Sequence, residues 1–298
     1  IAEENREIIG YVVATQPMTA KMLDEKIRLA MATTLCVLPE YRRRGVAKAL
    51  MEGIHSYAKN KKTDLLLSYV EKGDAAHDLV IKKLDWKEVG EVTILIKILN
   101  LLSNIEFLSF VLLNSLSSPR KSLYYLARRL KSLKLSKISY ENEKIISRRK
   151  MRQANENDIG DIIRFINISN SNRIGYHQID EKEYGWRYLT YKNSSLQSIV
   201  ISEHGEEIDA HVAISFHPFM LPYSPYLLNV ATLNDICGKL ELILRFSVEH
   251  AEKEGADLVL TTMSPKDRNL YSSLGFFKLI SFITVVKIFS DIEMDKYL

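Results

Sequence analysis

The sequence predicts an α/β protein (α+β in the sense of a mixed sheet) built as two similar modules in tandem, about residues 1–100 and 147–298, with a helical connector at 101–146. Three observations carry this: an internal repeat, a hydrophobic period that switches between strand and helix in the same order in both copies, and a length of 298 residues. That length suits two ordinary domains better than one core.

The repeat fixes the elements in order. Residues 8–14 read as a strand leaving a hairpin turn at Glu4-Asn5-Arg6, and residues 208–214 do the same after His204-Gly205-Glu206. An irregular Pro-containing connection then leads to an apolar strand at 29–37 in the first copy and 226–232 in the second. A helix follows in each, with Val46, Leu50, Ile54 and Tyr57 at helical spacing, and Leu240, Ile243, Leu244, Val248 and Ala251 likewise. The match is then nearly literal: Thr63-Asp64-Leu65-Leu66-Leu67-Ser68 against Ala256-Asp257-Leu258-Val259-Leu260-Thr261. Such short, almost wholly apolar runs suit strands covered on both faces. A short helix and an aromatic-led strand close each copy, at Asp85-Trp86 and at Gly275-Phe276-Phe277.

The second copy also has a front end, a strand at 150–154 and helices at 158–168 and 181–191. The first has no equivalent, because the sequence starts inside its hairpin, so this module is expected to be N-terminally incomplete. Between the copies, residues 93–116 are strongly apolar, but Lys97, Glu106 and three asparagines interrupt them. They read as a last strand to about Leu99 and an interdomain helix rather than a membrane span. Residues 122–135 read as a basic amphipathic helix packed as a connector.

Composition narrows the classes. A net charge of +4 with only short basic runs gives no footprint for nucleic acid, and no membrane partner is expected. Two cysteines, Cys36 and Cys237, supply neither a disulfide framework nor a metal site, so a cytoplasmic location and no metal are expected.

The chemistry concentrates between Val37 and Lys48. A strand ends at Val37, Pro39 stops it continuing, and Gly45 permits a backbone turn that other residues resist. A helix then starts with the small residues Ala47 and Ala49 in its first turns. Strand, tight turn and helix N-terminus aim backbone N–H groups at one spot, and the helix dipole makes that spot an anion site. Arg42, Arg43 and Arg44 add formal positive charge.

Arg42-x-x-Gly45-x-Ala47 after a Val-x-Pro strand end resembles the pyrophosphate-binding motif of the GNAT acyltransferase superfamily, and the chain resembles two GNAT modules in tandem. By that resemblance, the backbone of Arg43, Arg44, Gly45, Val46, Ala47 and Lys48 holds the pyrophosphate of acetyl-CoA, the co-substrate. The pantetheine arm pairs with the strand edge at Leu35, Cys36 and Val37, where one N–H polarises the thioester carbonyl.

Catalytic residues are not legible. The family's helix motif has an Asn and then a Tyr that protonates the leaving thiolate, but the first copy has Asp74 and Ile81 at those positions. Thr33 and Thr34 stand where a basic Glu is common. The second copy is the reverse: Asn269-Leu270-Tyr271 and Gly275-Phe276 match the helix motif, while Asn234-Asp235-Ile236-Cys237-Gly238 stands in place of the phosphate loop. Tyr271 therefore reads as a remnant of the fold. His77 and Glu71 read as solvated surface, Cys36 as a small apolar filler, and Tyr184, Trp186 and Tyr188 as helix packing. The resemblance implies an N-acetyltransferase acting on an amine-bearing small molecule, peptide or protein. A non-catalytic CoA-binding tandem and an aminoacyl or peptidyl transferase of the same doubled fold are the alternatives, and a homodimer is left open.

Overall fold

The computed structural model describes residues 1–22, 25–100, 150–171, 176–188, 197–220, 227–263 and 267–290. The expected connector helices lie outside the described residues. Those described form twelve strands and six α-helices in a mixed α/β arrangement. They fall into two compact units that are not contiguous stretches: Ile1–Val92 with Asn172–Gln178 and Ser281–Leu298, and Thr93–Ser171 with Ile179–Ile280.

In the first unit β1 (Ala2–Glu4) pairs with β2 (Glu7–Ala14), and β2 pairs with β4 (Glu25–Val37), all antiparallel. A hairpin of β3 (Met18–Met22) onto β4 replaces the irregular connection expected here. Its reason is Ala20, 2% exposed, which packs with Ile27 and Leu65 and gives the segment a buried face. β4 runs parallel to β5 (Leu65–Glu71), and between them comes α1 (Val46–Asn60). Met51 and Ile54 of α1 bury against Ala30, Ala32, Leu66 and Val70, while Leu65 and Leu67 face the opposite side with Ala20 and Ile27. After β5, α2 (Ala75–Asp78) passes into a π-helical turn, Leu79–Lys83. Trp86 closes this core, 3% exposed, its indole N–H donating to His55 Nε2 at 3.1 Å. Only a neutral His55 can accept that bond, and burial, then the charge of Lys287, lowers its pKa accordingly.

In the second unit β7 (Lys150–Gln153), β8 (Gln197–His204), β9 (Glu207–Met220) and β10 (Leu227–Gly238) pair antiparallel in that order. β11 (Leu258–Met263) then pairs parallel with β10. The helices are α3 (Ile159–Asn170), α4 (Glu181–Tyr188), α5 (Leu240–Lys253) and α6 (Arg268–Ser273). Ile243, Leu244 and Val248 of α5 pack on Val212, Ile214, Ala231 and Val259 in the largest core cluster.

The closing strands are exchanged. The end of β6 (Lys87–Ile98) pairs with β11 of the second unit, Ile98 opposite Leu258 and Lys97 opposite Val259. The end of β12 (Phe277–Ile288) pairs with β5 of the first, Ile288 opposite Leu65 and Lys287 opposite Leu66. The details match pairwise. Leu99 N–H donates to Asp257 O and Phe289 N–H to Asp64 O, each at 2.9 Å. Lys97 Nζ caps Leu274 O at 2.6 Å, and Lys287 Nζ caps Leu84 O and Asp85 O at 3.0 Å. Each lysine thus satisfies carbonyls at the end of the helix preceding the other repeat's closing strand. β5 resembles β11 and β6 resembles β12, so local and exchanged pairings present nearly the same chemistry, and periodicity cannot tell them apart.

Candidate functional site: the loop before the first long helix

β4 and β5 begin as neighbours and then part. Their parallel pairing covers Leu29–Leu65, Ala30–Leu66 and Met31–Leu67, although β4 continues to Val37 and β5 to Glu71. A bulge accompanies the split: the β2–β4 register shifts between Tyr11 and Val13, and Thr34 has φ +55°. Beyond the bulge Leu35 and Val37 are half-buried and Cys36 is exposed, which corrects the apolar-filler reading of Cys36. Its neighbour across the ladder is Tyr11.

After Val37 the chain makes one 3₁₀ turn, Pro39–Tyr41, and reaches α1 through Arg42, Arg43, Arg44 and Gly45. Arg42 Nε donates back to Val37 O at 3.2 Å, fixing the start of the turn. The Arg44 guanidinium stacks 5.0 Å from the centre of the Tyr41 ring. Arg43 and Gly45 have φ +64° and +86°. Gly45 is the N-cap of α1, no side chain caps the helix, and its first turn carries no acid. The first N–H groups of α1, at Val46, Ala47 and Lys48, have no carbonyl one turn earlier to bond. Among the described residues nothing lies within 4 Å of a Cβ built on Gly45, so the backbone there is open to a ligand. Lys48 leans on Glu52 at 3.6 Å. These features fit a diphosphate: an uncapped helix N-terminus, an open glycine and three arginines around them.

The second copy differs in kind. Residues 234–238, expected to replace the loop, are not a loop but the end of β10, and Lys239 alone separates it from α5. The strand persists because its bulge is locked by side chains. Asp235, at φ +45°, accepts from the Tyr188 hydroxyl and from Arg187 Nη1 at 3.4 Å. Its carbonyl lies 3.0 Å from His211 Nδ1, which makes Nε2 the acceptor for the Tyr184 hydroxyl at 3.1 Å. Gly238, at φ +85°, is walled in: a Cβ there would sit 2.2 Å from Asp209 O and 2.7 Å from Ala210 Cα.

The remaining residues singled out by sequence divide. Tyr271 is 4% exposed, stacks edge-on against Phe276 and has its pKa pushed up to about 12, chiefly by burial. His77 is buried rather than solvated, 2.8 Å from Glu88, because the Asp74 side chain caps its backbone N–H and turns it inward. Tyr184 and Tyr188 are packed as expected, but Trp186 is 60% exposed. Ile81 packs at the edge of the first core. Among the described residues no cluster of His, Cys, Asp or Glu is gathered for a metal, and no helix is long and apolar enough to cross a membrane.

Residues 1–88 match the family model described as Acetyltransferase (GNAT) domain. No curated protein matches the chain. Among solved structures it is similar to Saccharomyces cerevisiae N-myristoyltransferase with bound myristoyl-CoA, in two structures at TM-scores of 0.64 and 0.65 and 11% identity. A third, with myristoyl-CoA and inhibitors, gives 0.64 and 12%. Each covers 95% of this chain, which spans 67%, 64% and 65% of theirs. Residues 1–88 thus match a GNAT domain model, and the chain shares its fold with these N-myristoyltransferases.

Proposed function

We propose that the protein is an acyl-CoA-dependent N-acyltransferase whose donor binds at the first unit. The observation that carries this is the open, uncapped start of α1 at Gly45, beside three arginines and the end of β4 past its last pair with β5. In this reading the N–H groups of residues 43–48 hold the pyrophosphate, and Leu35, Cys36 and Val37 offer a strand edge to the pantetheine arm. A β4 N–H polarises the thioester carbonyl, and a neutral amine attacks it directly. Ile81 has no proton to give, so the thiolate, from a thiol with a pKa of about 8.5, is protonated by water. Acetyl-CoA is the donor favoured by the family model over residues 1–88. A long-chain acyl-CoA is the second reading, favoured by the likeness to chains with bound myristoyl-CoA. An amine-bearing small molecule, peptide or protein is the acceptor class.

Titration calorimetry of the full chain with acetyl-CoA and with myristoyl-CoA, followed by thiol-release assays with amines, tests all of this. One equivalent of donor and amine-dependent thiol release are expected. Binding without turnover points to a non-catalytic CoA-binding protein, and turnover only with aminoacylated donors to an aminoacyl transferase. Two equivalents per chain would overturn the assignment to the first unit.

A further inference from the structure

The first unit carries a second chemical feature on the far side of its strand split. Side chains alternate along β5: Leu66 and Val70 pack with α1, while Leu65 and Leu67 pack on the opposite face. The same alternation puts Tyr69 and Glu71 on the face away from α1, beyond Met31–Leu67, the last pair joining β5 to β4. Both are exposed, Tyr69 at 44%. Among the described residues no hydrogen bond or ion pair engages the Tyr69 hydroxyl or the Glu71 carboxylate. An aromatic ring with a free hydroxyl and a free carboxylate therefore sit side by side where β4 has moved away. The donor loop, at the start of α1, belongs to the other face.

We propose that Tyr69 and Glu71 form the acceptor subsite of the reaction proposed above, and that the acceptor is a cationic primary amine drawn in by the Glu71 carboxylate. The proposal rests on that reading of the first unit. A donor lying against β4 on the α1 side presents its carbonyl in the split, and an amine reaches it from the open side past Tyr69. The ring face and hydroxyl suit an alkylammonium, through cation–π attraction and one hydrogen bond. Burial holds the tyrosine above its ordinary pKa, so its hydroxyl stays protonated at neutral pH. The captured ammonium gives a proton to water, and its lone pair then forms the C–N bond as the C–S bond breaks. The thiolate takes a proton from water, and the nitrogen releases its second proton to solvent.

The test is steady-state kinetics of the full chain at saturating acyl-CoA, with two probe acceptors: n-butylamine, cationic at pH 7, and hydroxylamine, uncharged there. Glu71→Gln is expected to raise KM for n-butylamine roughly tenfold, the loss typical of one charge-assisted contact, and to leave hydroxylamine and acyl-CoA affinity unchanged. Tyr69→Phe, which keeps the ring, is expected to raise the n-butylamine KM by about threefold through the lost hydroxyl bond. A purely structural role cannot discriminate between charged and uncharged acceptors. Unchanged kinetics, or equal losses with both probes, overturns the subsite while the native turnover keeps the function. No turnover by the native chain with either amine removes that function, and the subsite falls with it.

Discussion

Gly45 and Gly238 stand at matching places in the two repeats, each at positive φ just ahead of the long helix, yet their surroundings are opposite. Gly45 faces open space, whereas Gly238 presses on the backbone of β9. The first repeat spends residues 38–45 on a loop between strand and helix, and the second spends only Lys239. In the first, glycine and an unsatisfied helix start leave donors for a ligand. In the second, Asp235, Tyr188, Arg187, His211 and Tyr184 satisfy one another and hold the strand shut. One repeated element is thus left open at a helix start in one copy and built into the core in the other. What decides is whether its polar groups find partners inside the protein.

The sharpest way to break this contrast is Gly45→Glu, which puts a carboxylate where the pyrophosphate is proposed to lie. Acyl-CoA affinity measured by calorimetry should fall at least about 100-fold, because the charge repels and the side chain fills the approach. The fold should persist, since no neighbouring atom is displaced and a side chain at positive φ costs only about 1–2 kcal/mol. Retained affinity would move the donor site away from α1.

Gly238→Ala against Gly45→Ala tests the packing half of the comparison. Both place a Cβ in left-handed backbone, which costs about 1–2 kcal/mol. Only Gly238→Ala also drives that Cβ into Asp209 O, so its total loss in urea denaturation should reach about 3 kcal/mol or more. Equal losses would mean that the wall around Gly238 yields freely.

Lys97→Met probes the exchanged strand. Removing the ammonium from Leu274 O should cost about 1 kcal/mol at pH 7, since the lost charge-assisted bond is partly offset by relief of desolvation. Burial lowers the Lys97 pKa, so the unfolded chain binds more protons than the native one as pH approaches the ordinary value of about 10.4. Native stability relative to Lys97→Met should therefore rise with pH in that alkaline window. A flat or falling difference between pH 8 and 10 would refute the assigned direction.

The smallest effect expected is that of Tyr271→Phe on turnover. Its side chain is buried in the core against Phe276, so the rate should change by less than about threefold, where loss of a general acid costs about 100-fold or more. A loss of that larger size, with donor affinity kept, would shift the chemistry to the second unit.

Much of this was legible before any coordinates. The repeat at 63–68 and 256–261 located β5 and β11, and the glycine-arginine turn located the start of α1. Helical spacing picked out Leu50 and Ile54, and Leu244 and Val248, all buried. The bulges at Thr34 and Asp235 were not visible, because neither residue type advertises positive φ in a strand as glycine does. Tyr69 and Glu71 were legible only as alternation: period two says that they share a face, but not which face α1 leaves open.

Local chemistry, which travels with residue type, is what the sequence determined by itself. Pro39 ends a strand, Gly45 turns the chain, and Leu-rich runs bury, whatever surrounds them. The tertiary structure alone decided the long-range choices. Near-identical strands let β6 and β12 pair with either repeat, and only the folded chain selects the exchange. Whether a glycine at a helix start faces solvent or another backbone also depends on residues far along the chain. Asp209 closes on Gly238, and among the described residues nothing closes on Gly45.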